Sequence, residues 1–120
     1  MDYFFDTYTL IETLEGNPNY ENFSEYTFIT TTLNLSEFYY YLLRQNGENT
    51  ADKTIKNLNF ELVEISPEIA IKGAKFKHKY KKESLSYIDC IGYIVAFSNN
   101  LRFLTGDEKF KNKKNVEFVK

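Results

Sequence analysis

Leu85-Ser-Tyr-Ile-Asp-Cys-Ile-Gly-Tyr-Ile-Val-Ala-Phe97 carries one charge, Asp89, in an otherwise apolar run with helical patterning. A helix this apolar belongs inside a packed domain, and a carboxylate on it needs a partner, because an unpaired buried charge is strongly disfavoured. Three further acids, Asp6, Glu37 and Asp107, lie where strands hand over to helices. Together the four carboxylates read as a cation site.

Outward from that run, the chain alternates between two periods. Tyr3-Phe4-Phe5 is a short apolar strand ending at Asp6, and Thr7 to Leu14 then has apolar residues at 10, 11 and 14, the spacing of a helix. Gly16-Asn-Pro-Asn19 stops it. Tyr26 to Thr30 is a second strand, followed by a helical stripe of Leu35, Phe38, Tyr39, Leu42 and Leu43 that ends near Asn46-Gly47; Glu37 lies off this stripe. The pattern predicts a short helix over 49–58, a third strand over Phe60 to Ile65, and a helix from 68 to about 82 with Pro67 at its start. Ser84 or Ser86 caps the apolar helix. Leu101 to Leu104 and Val116 to Val119 are the last two strands, and Asp107 begins a turn or short helix between them.

Strands alternating with helices predict a parallel sheet covered on both faces, with right-handed crossovers placing the strand-to-helix junctions on one edge. Asp6, Glu37, Asp89 and Asp107 then converge on one cleft. Carboxylates sharing a cleft repel one another unless something positive sits among them. Mg²⁺ or Mn²⁺ suits this donor set, since hard ions prefer carboxylate and water oxygens and there is no Cys or His cluster to favour zinc. Such an ion can lower the pKa of a bound water, polarise a phosphoryl oxygen and hold a substrate in line, which together suffice to hydrolyse a phosphodiester.

Each acid also has a plainer reading. Asp6 and Asp107 can cap the turns that follow them, Glu37 can be a solvated helix residue, and Asp89 can lie at the surface. Thr7 and Thr105 can hydrogen-bond a ligand or a neighbouring carboxylate, or simply cap turns. Glu108 is a fifth cleft acid or a favourable first-turn charge. His78, among lysines, reads as a surface residue, and Tyr39 to Tyr41 as helix packing.

With 120 residues, 42% of them apolar and 18% aromatic, the chain suits one domain over 1–120, near the common size of roughly 100–150 residues. No stretch approaches the roughly 18 apolar residues of a membrane span, and the opening Met1-Asp-Tyr-Phe-Phe-Asp6 is no signal peptide, so the expectation is cytoplasmic. Cys90 is the only cysteine, which excludes an intrachain disulfide. The net charge of −2 is unevenly spread. Residues 1–43 hold seven acids and no Lys or Arg, whereas residues 44–120 hold all fifteen basic residues and ten acids. A phosphate polymer would be repelled at one end and attracted at the other, and a divalent cation would relieve the repulsion locally. The lysines at 72–82 and at 109, 111, 113 and 114 are candidates for RNA-backbone contacts, with a merely solubilising face as the alternative.

Four motifs in order resemble a small prokaryotic PIN-domain nuclease, similar to the toxin subunits of the VapBC toxin-antitoxin class. They are Phe4-Phe-Asp6-Thr-Tyr-Thr-Leu-Ile11, Thr30-Thr-Thr-Leu-Asn-Leu-Ser-Glu37-Phe38, Leu85 to Ala96 around Asp89, and Phe103-Leu-Thr-Gly-Asp107-Glu-Lys-Phe110. Tyr8 stands where the family commonly has Asn or Ser. The resemblance implies a three-layer α/β/α sandwich around a parallel sheet of order 3-2-1-4-5 and a Mg²⁺- or Mn²⁺-dependent endoribonuclease acting on RNA. Asp6 and Asp107 would be primary metal ligands, with Glu37 and Asp89 completing the site. It further implies a homodimer and an antitoxin that covers the cleft. Two competing readings are a non-catalytic RNA- or protein-binding module on the same fold, and a phosphoryl-transfer or receiver-like domain. The second lacks an adjacent acidic pair at the first strand and a phospho-accepting Asp after the third.

Overall fold

The computed structural model describes residues 2–120; of the opening segment, Met1 lies outside the described residues. Five short strands, β1 (Tyr3–Phe5), β2 (Phe28–Thr30), β3 (Phe60–Leu62), β4 (Arg102–Thr105) and β5 (Val116–Phe118), form one sheet in the order β3-β2-β1-β4-β5, with every neighbouring pair parallel. Five helices connect them: α1 (Thr7–Leu14), α2 (Thr32–Asn46), α3 (Glu48–Asn57), α4 (Pro67–Lys79) and α5 (Tyr87–Ser98).

Successive side chains of a strand point to opposite faces, so Phe4 and Phe5, or Phe103 and Leu104, serve different cores. Phe4 and Phe103 join Cys90, Tyr93, Val95 and Ala96 of α5 beneath the α4–α5 layer. Phe5 and Leu104 join Leu10, Phe38, Leu42 and Ala51 beneath α1, α2 and α3. The expected three-layer α/β/α sandwich of order 3-2-1-4-5 is therefore present. Among the described residues no helix is long and apolar enough to cross a membrane.

Some boundaries differ from the sequence reading. The strand read over Phe60 to Ile65 is regular only through Leu62; the Val63 amide makes one last bond to β2, donating to the Thr30 carbonyl at 2.8 Å, and the side chains of Val63 and Ile65 pack against the α4–α5 core. Helix α4 stops at Lys79, short of 82, and Ser84 in the left-handed region (φ 55°) turns the chain towards α5. The polar segment Pro18–Phe23 forms a 3₁₀ helix that the sequence did not suggest, and it buries Tyr20 completely.

Candidate active site

The β1–β4 register sets Phe5 beside Leu104, so Asp6 emerges next to Thr105 and Gly106 at the carboxyl edge of the sheet. Ligands of open parallel sheets bind outside this edge. Asp6 has extended backbone and caps α1: its Oδ1 accepts from the Thr9 amide at 2.8 Å, while the Thr9 hydroxyl donates to the Asp6 carbonyl at 2.9 Å. Capping and lining the cleft are thus combined in one residue.

Asp107 caps a one-turn 3₁₀ helix, Glu108–Phe110, accepting from the Lys109 amide at 2.9 Å, and its own amide donates to the Thr105 hydroxyl at 3.0 Å. Ser86, not Ser84, caps α5, accepting from the Asp89 amide at 3.1 Å. Asp89 therefore sits in the first turn of α5, half-buried, where its carboxylate faces back towards the helix start and the sheet edge. Glu37 is exposed in the second turn of α2 and is held by the Thr7 hydroxyl, which donates to its Oε1 at 2.5 Å.

Behind this contact runs a polar chain that sequence reasoning missed. Thr31, the cap of α2, donates to Asn34 Oδ1 at 2.7 Å; Asn34 Nδ2 donates to Thr7 Oγ1 at 3.1 Å; Thr7 then donates to Glu37. Asn34 is only 1% exposed, and a buried amide is retained when its hydrogen bonds are satisfied. The available signal was its place three residues after a capping Thr, on the side of α2 next to α1.

All four predicted acids, Asp6, Glu37, Asp89 and Asp107, line one open cleft of about 430 Å³, with Thr7, Tyr8, Ser86, Gly106 and Lys120. Glu108 does not line it; the 3₁₀ turn carries that side chain into a separate groove. Burial pushes Asp6, 3% exposed, up to about 7, with repulsion from Asp89 adding to the shift and the Thr105 hydroxyl and Thr9 amide opposing it. Burial likewise pushes Asp89 up to about 6; Asp107 and Glu37 add to the shift, while Ser86 and the Lys109 ammonium oppose it. The cleft is thus a place where negative charge is poorly compensated by the protein itself.

Among the described residues no three Asp, Glu, His or Cys side chains are gathered tightly enough to hold an ion by themselves. The oxygen donor set nevertheless fits Mg²⁺ or Mn²⁺, hard ions that are commonly bound through one or two carboxylates with water completing the coordination. Ligation by all four acids is not required for such a fit.

Tyr8 forms part of the cleft wall and explains Gly106. A Cβ at residue 106 would lie 2.2 Å from Tyr8 Cε1, inside van der Waals contact, so the ring can pack there only against a glycine. Gly106→Ala is expected to cost about 1–3 kcal/mol of stability, as overpacking does, and most of that loss should disappear in a Tyr8→Ala background. Urea denaturation of the four proteins of this cycle measures it; equal losses in both backgrounds would show that the ring is not the obstacle.

The PIN domain family model matches residues 3–116. A search of curated proteins found no match to this sequence. Among solved structures, a chain of a toxin-antitoxin complex from Klebsiella pneumoniae aligns with TM-score 0.78 and 19% identity, covering 97% of this chain and 96% of that one. A chain of VapBC2 from Rickettsia felis, bound to a DNA fragment from its promoter, gives TM-score 0.75 and 17% identity over 100% of both chains. Mycobacterium tuberculosis VapC20, described as a sarcin-ricin loop cleaving toxin, gives TM-score 0.76 and 14% identity over 99% of this chain and 100% of that one. The structural likenesses carry the fold, and the family match, spanning nearly all of the sequence, carries the assignment: this chain belongs to the PIN-domain family.

Proposed function

We propose that the protein is a Mg²⁺- or Mn²⁺-dependent endoribonuclease and the toxin of a toxin-antitoxin pair. The observation that carries this reading is the convergence of four acids from separate parts of the chain on one cleft at the carboxyl edge of the sheet. A bound divalent ion would supply Lewis acidity towards the scissile phosphate and lower the pKa of water.

The chain's own residues define the rest. Asp6 and Asp107 are the proposed primary ligands, each fixed by the helical turn it caps. Glu37 and Asp89 complete the site or orient water, Glu37 aimed by Thr7 and Asp89 by Ser86. Fixing these oxygens before substrate arrives limits the reorganisation needed during reaction. An RNA substrate is supported by the description of VapC20 as a loop-cleaving toxin, and a protein antitoxin by the toxin-antitoxin complexes among the similar folds. We take residues 1–120 as one domain acting in the cytoplasm. A homodimer fits the exposed apolar side chains Ile71, Tyr87 and Phe97 on the α4–α5 layer.

The test is cleavage of single-stranded RNA by the purified chain. Cleavage should require added Mn²⁺ or Mg²⁺, stop on chelation and return when the metal is restored. Activity that persists in chelator, or no cleavage under any of these conditions, would refute the proposal.

A further inference from the structure

The lysines grouped by sequence do not share one face. Lys72 pairs with Glu68 at 3.0 Å, Lys77 donates to the Leu85 carbonyl and lies over the Tyr87 ring, and Lys111 lies over Phe118. Lys79, Lys109, Lys113 and Lys114 instead line a separate groove of about 600 Å³ with Tyr80, Tyr93 and Asn112. Against them stand Glu83 and Glu108, which leaves the lining with a net charge of +2.

Two of these lysines are already engaged. Lys113 Nζ is 2.9 Å from Glu83 and 4.0 Å above the centre of the Tyr80 ring, while Lys109 Nζ donates to the Ser84 carbonyl at 3.3 Å. Lys79 approaches only the Tyr80 ring, at 5.4 Å, and Lys114 Nζ has no partner among the described residues. These two ammonium groups remain available to a ligand.

The groove and the acidic cleft are joined by one turn of chain. Asp107 lines the cleft, while Glu108 and Lys109, on the 3₁₀ helix that Asp107 caps, line the groove. A strand held in the groove and continued over the Glu108–Phe110 turn would therefore reach Asp107. The acidic cleft repels phosphates, so binding of a nucleic-acid strand has to come from cations next to it.

We propose that this groove is a backbone-binding subsite, in which Lys79 and Lys114 hold the phosphates of the RNA strand flanking the scissile bond. The subsite rests on the nuclease reading and adds to it the path of the strand: out of the cleft, over the Glu108–Phe110 turn and along the Lys79–Lys114 groove. Lys113 keeps Glu83 neutralised, so that this carboxylate does not oppose the incoming phosphates.

The experiment measures binding of a labelled single-stranded RNA 12-mer in chelator, across a salt series, by fluorescence anisotropy. It compares wild type, Lys79→Gln/Lys114→Gln, and Lys53→Gln/Lys56→Gln, a control with the same charge change on α3. Losing two single-strand phosphate contacts should weaken binding about 10- to 25-fold at 0.1 M salt and flatten the log–log salt slope by about 1.4, whereas the control should change less than twofold. With Mn²⁺, the groove variant should raise KM and leave kcat at saturating RNA within about twofold of wild type. Groove and control variants that behave alike would overturn the subsite, and so would displacement of RNA by polyglutamate of equal charge, which would mark a site for acidic protein segments. If wild type still cleaves RNA in a metal-dependent way, the nuclease reading survives that failure. A wild-type protein that neither binds nor cleaves RNA overturns both.

Discussion

The Asp6→Asn protein is expected to fold normally and to cleave RNA about 10³-fold or more slowly than wild type in Mn²⁺, the range in which loss of a preorganised charge-stabilising group commonly falls. The structural half of this expectation follows from the cap. Asp6 contributes Oδ1 to the Thr9 amide and its backbone carbonyl to the Thr9 hydroxyl. Asn retains an amide oxygen of the same shape, and Asn is as good a helix cap as Asp, so α1 keeps its start. What the substitution removes is negative charge at the most buried of the four acids. Asp89→Asn keeps the Ser86 cap because that bond uses the Asp89 amide, and a smaller loss of about 10- to 100-fold is expected for a half-buried acid that orients the reaction. Single-turnover cleavage, with circular dichroism to establish folding, measures both. Wild-type rates from the two folded variants would leave the carboxylate cleft without a catalytic role.

What could be read from sequence depended on whether local chemistry decided the outcome. Helix α1 was legible at both ends because Asp6 begins it and Gly16-Asn17-Pro18 ends it, and each of those residues acts locally. The convergence of Asp6, Glu37 and Asp107 on one cleft was legible for a related reason, since parallel topology brings strand-to-helix junctions to one edge whatever the details of packing; Asp89 begins a helix that follows another helix, and its own signal was a lone charge in an apolar run. The end of β3 was not legible, because Val63 and Ile65 are apolar whether they extend a strand or cover a helix. Tyr20 was hidden in a polar segment with no apolar period, although it is fully buried. The Thr31–Asn34–Thr7–Glu37 chain depends on the packing of α1 on α2, and the split of the lysines into paired and groove-lining groups depends on where α4 stops. Neither is encoded in spacing along one element.

The same buried charge that serves the proposed chemistry should weaken the metal-free fold at neutral pH. Asp6 is raised to about 7 and Asp89 to about 6 from an ordinary value of 3.8, in both cases chiefly by burial. Between pH 4 and 7 the folded protein keeps protons that the unfolded chain has released, so unfolding releases protons and stability falls as pH rises through that window. Below pH 4 both states are protonated and the contribution is fully present; above pH 7 it is lost. For Asp6 the difference is on the order of 2–4 kcal/mol, and for the less buried Asp89 it is smaller. In chelator, Tm should therefore fall between pH 5 and pH 8. Asp6→Asn cannot ionise at this site, so its profile should be flatter and its Tm at pH 8 higher than that of wild type by several degrees. Mn²⁺ should narrow that gap by binding the folded wild type in preference to the unfolded chain, with little effect on the variant. Scanning fluorimetry of both proteins at pH 5 and 8, with chelator or Mn²⁺, separates this from a generic loss of stability on mutation. A metal-free wild type that becomes more stable from pH 5 to 8, or an Asp6→Asn protein less stable than wild type at pH 8 in chelator, would mean that the Asp6 carboxylate is not held at a cost by the fold, and that its charge is compensated by groups of the protein without any cation.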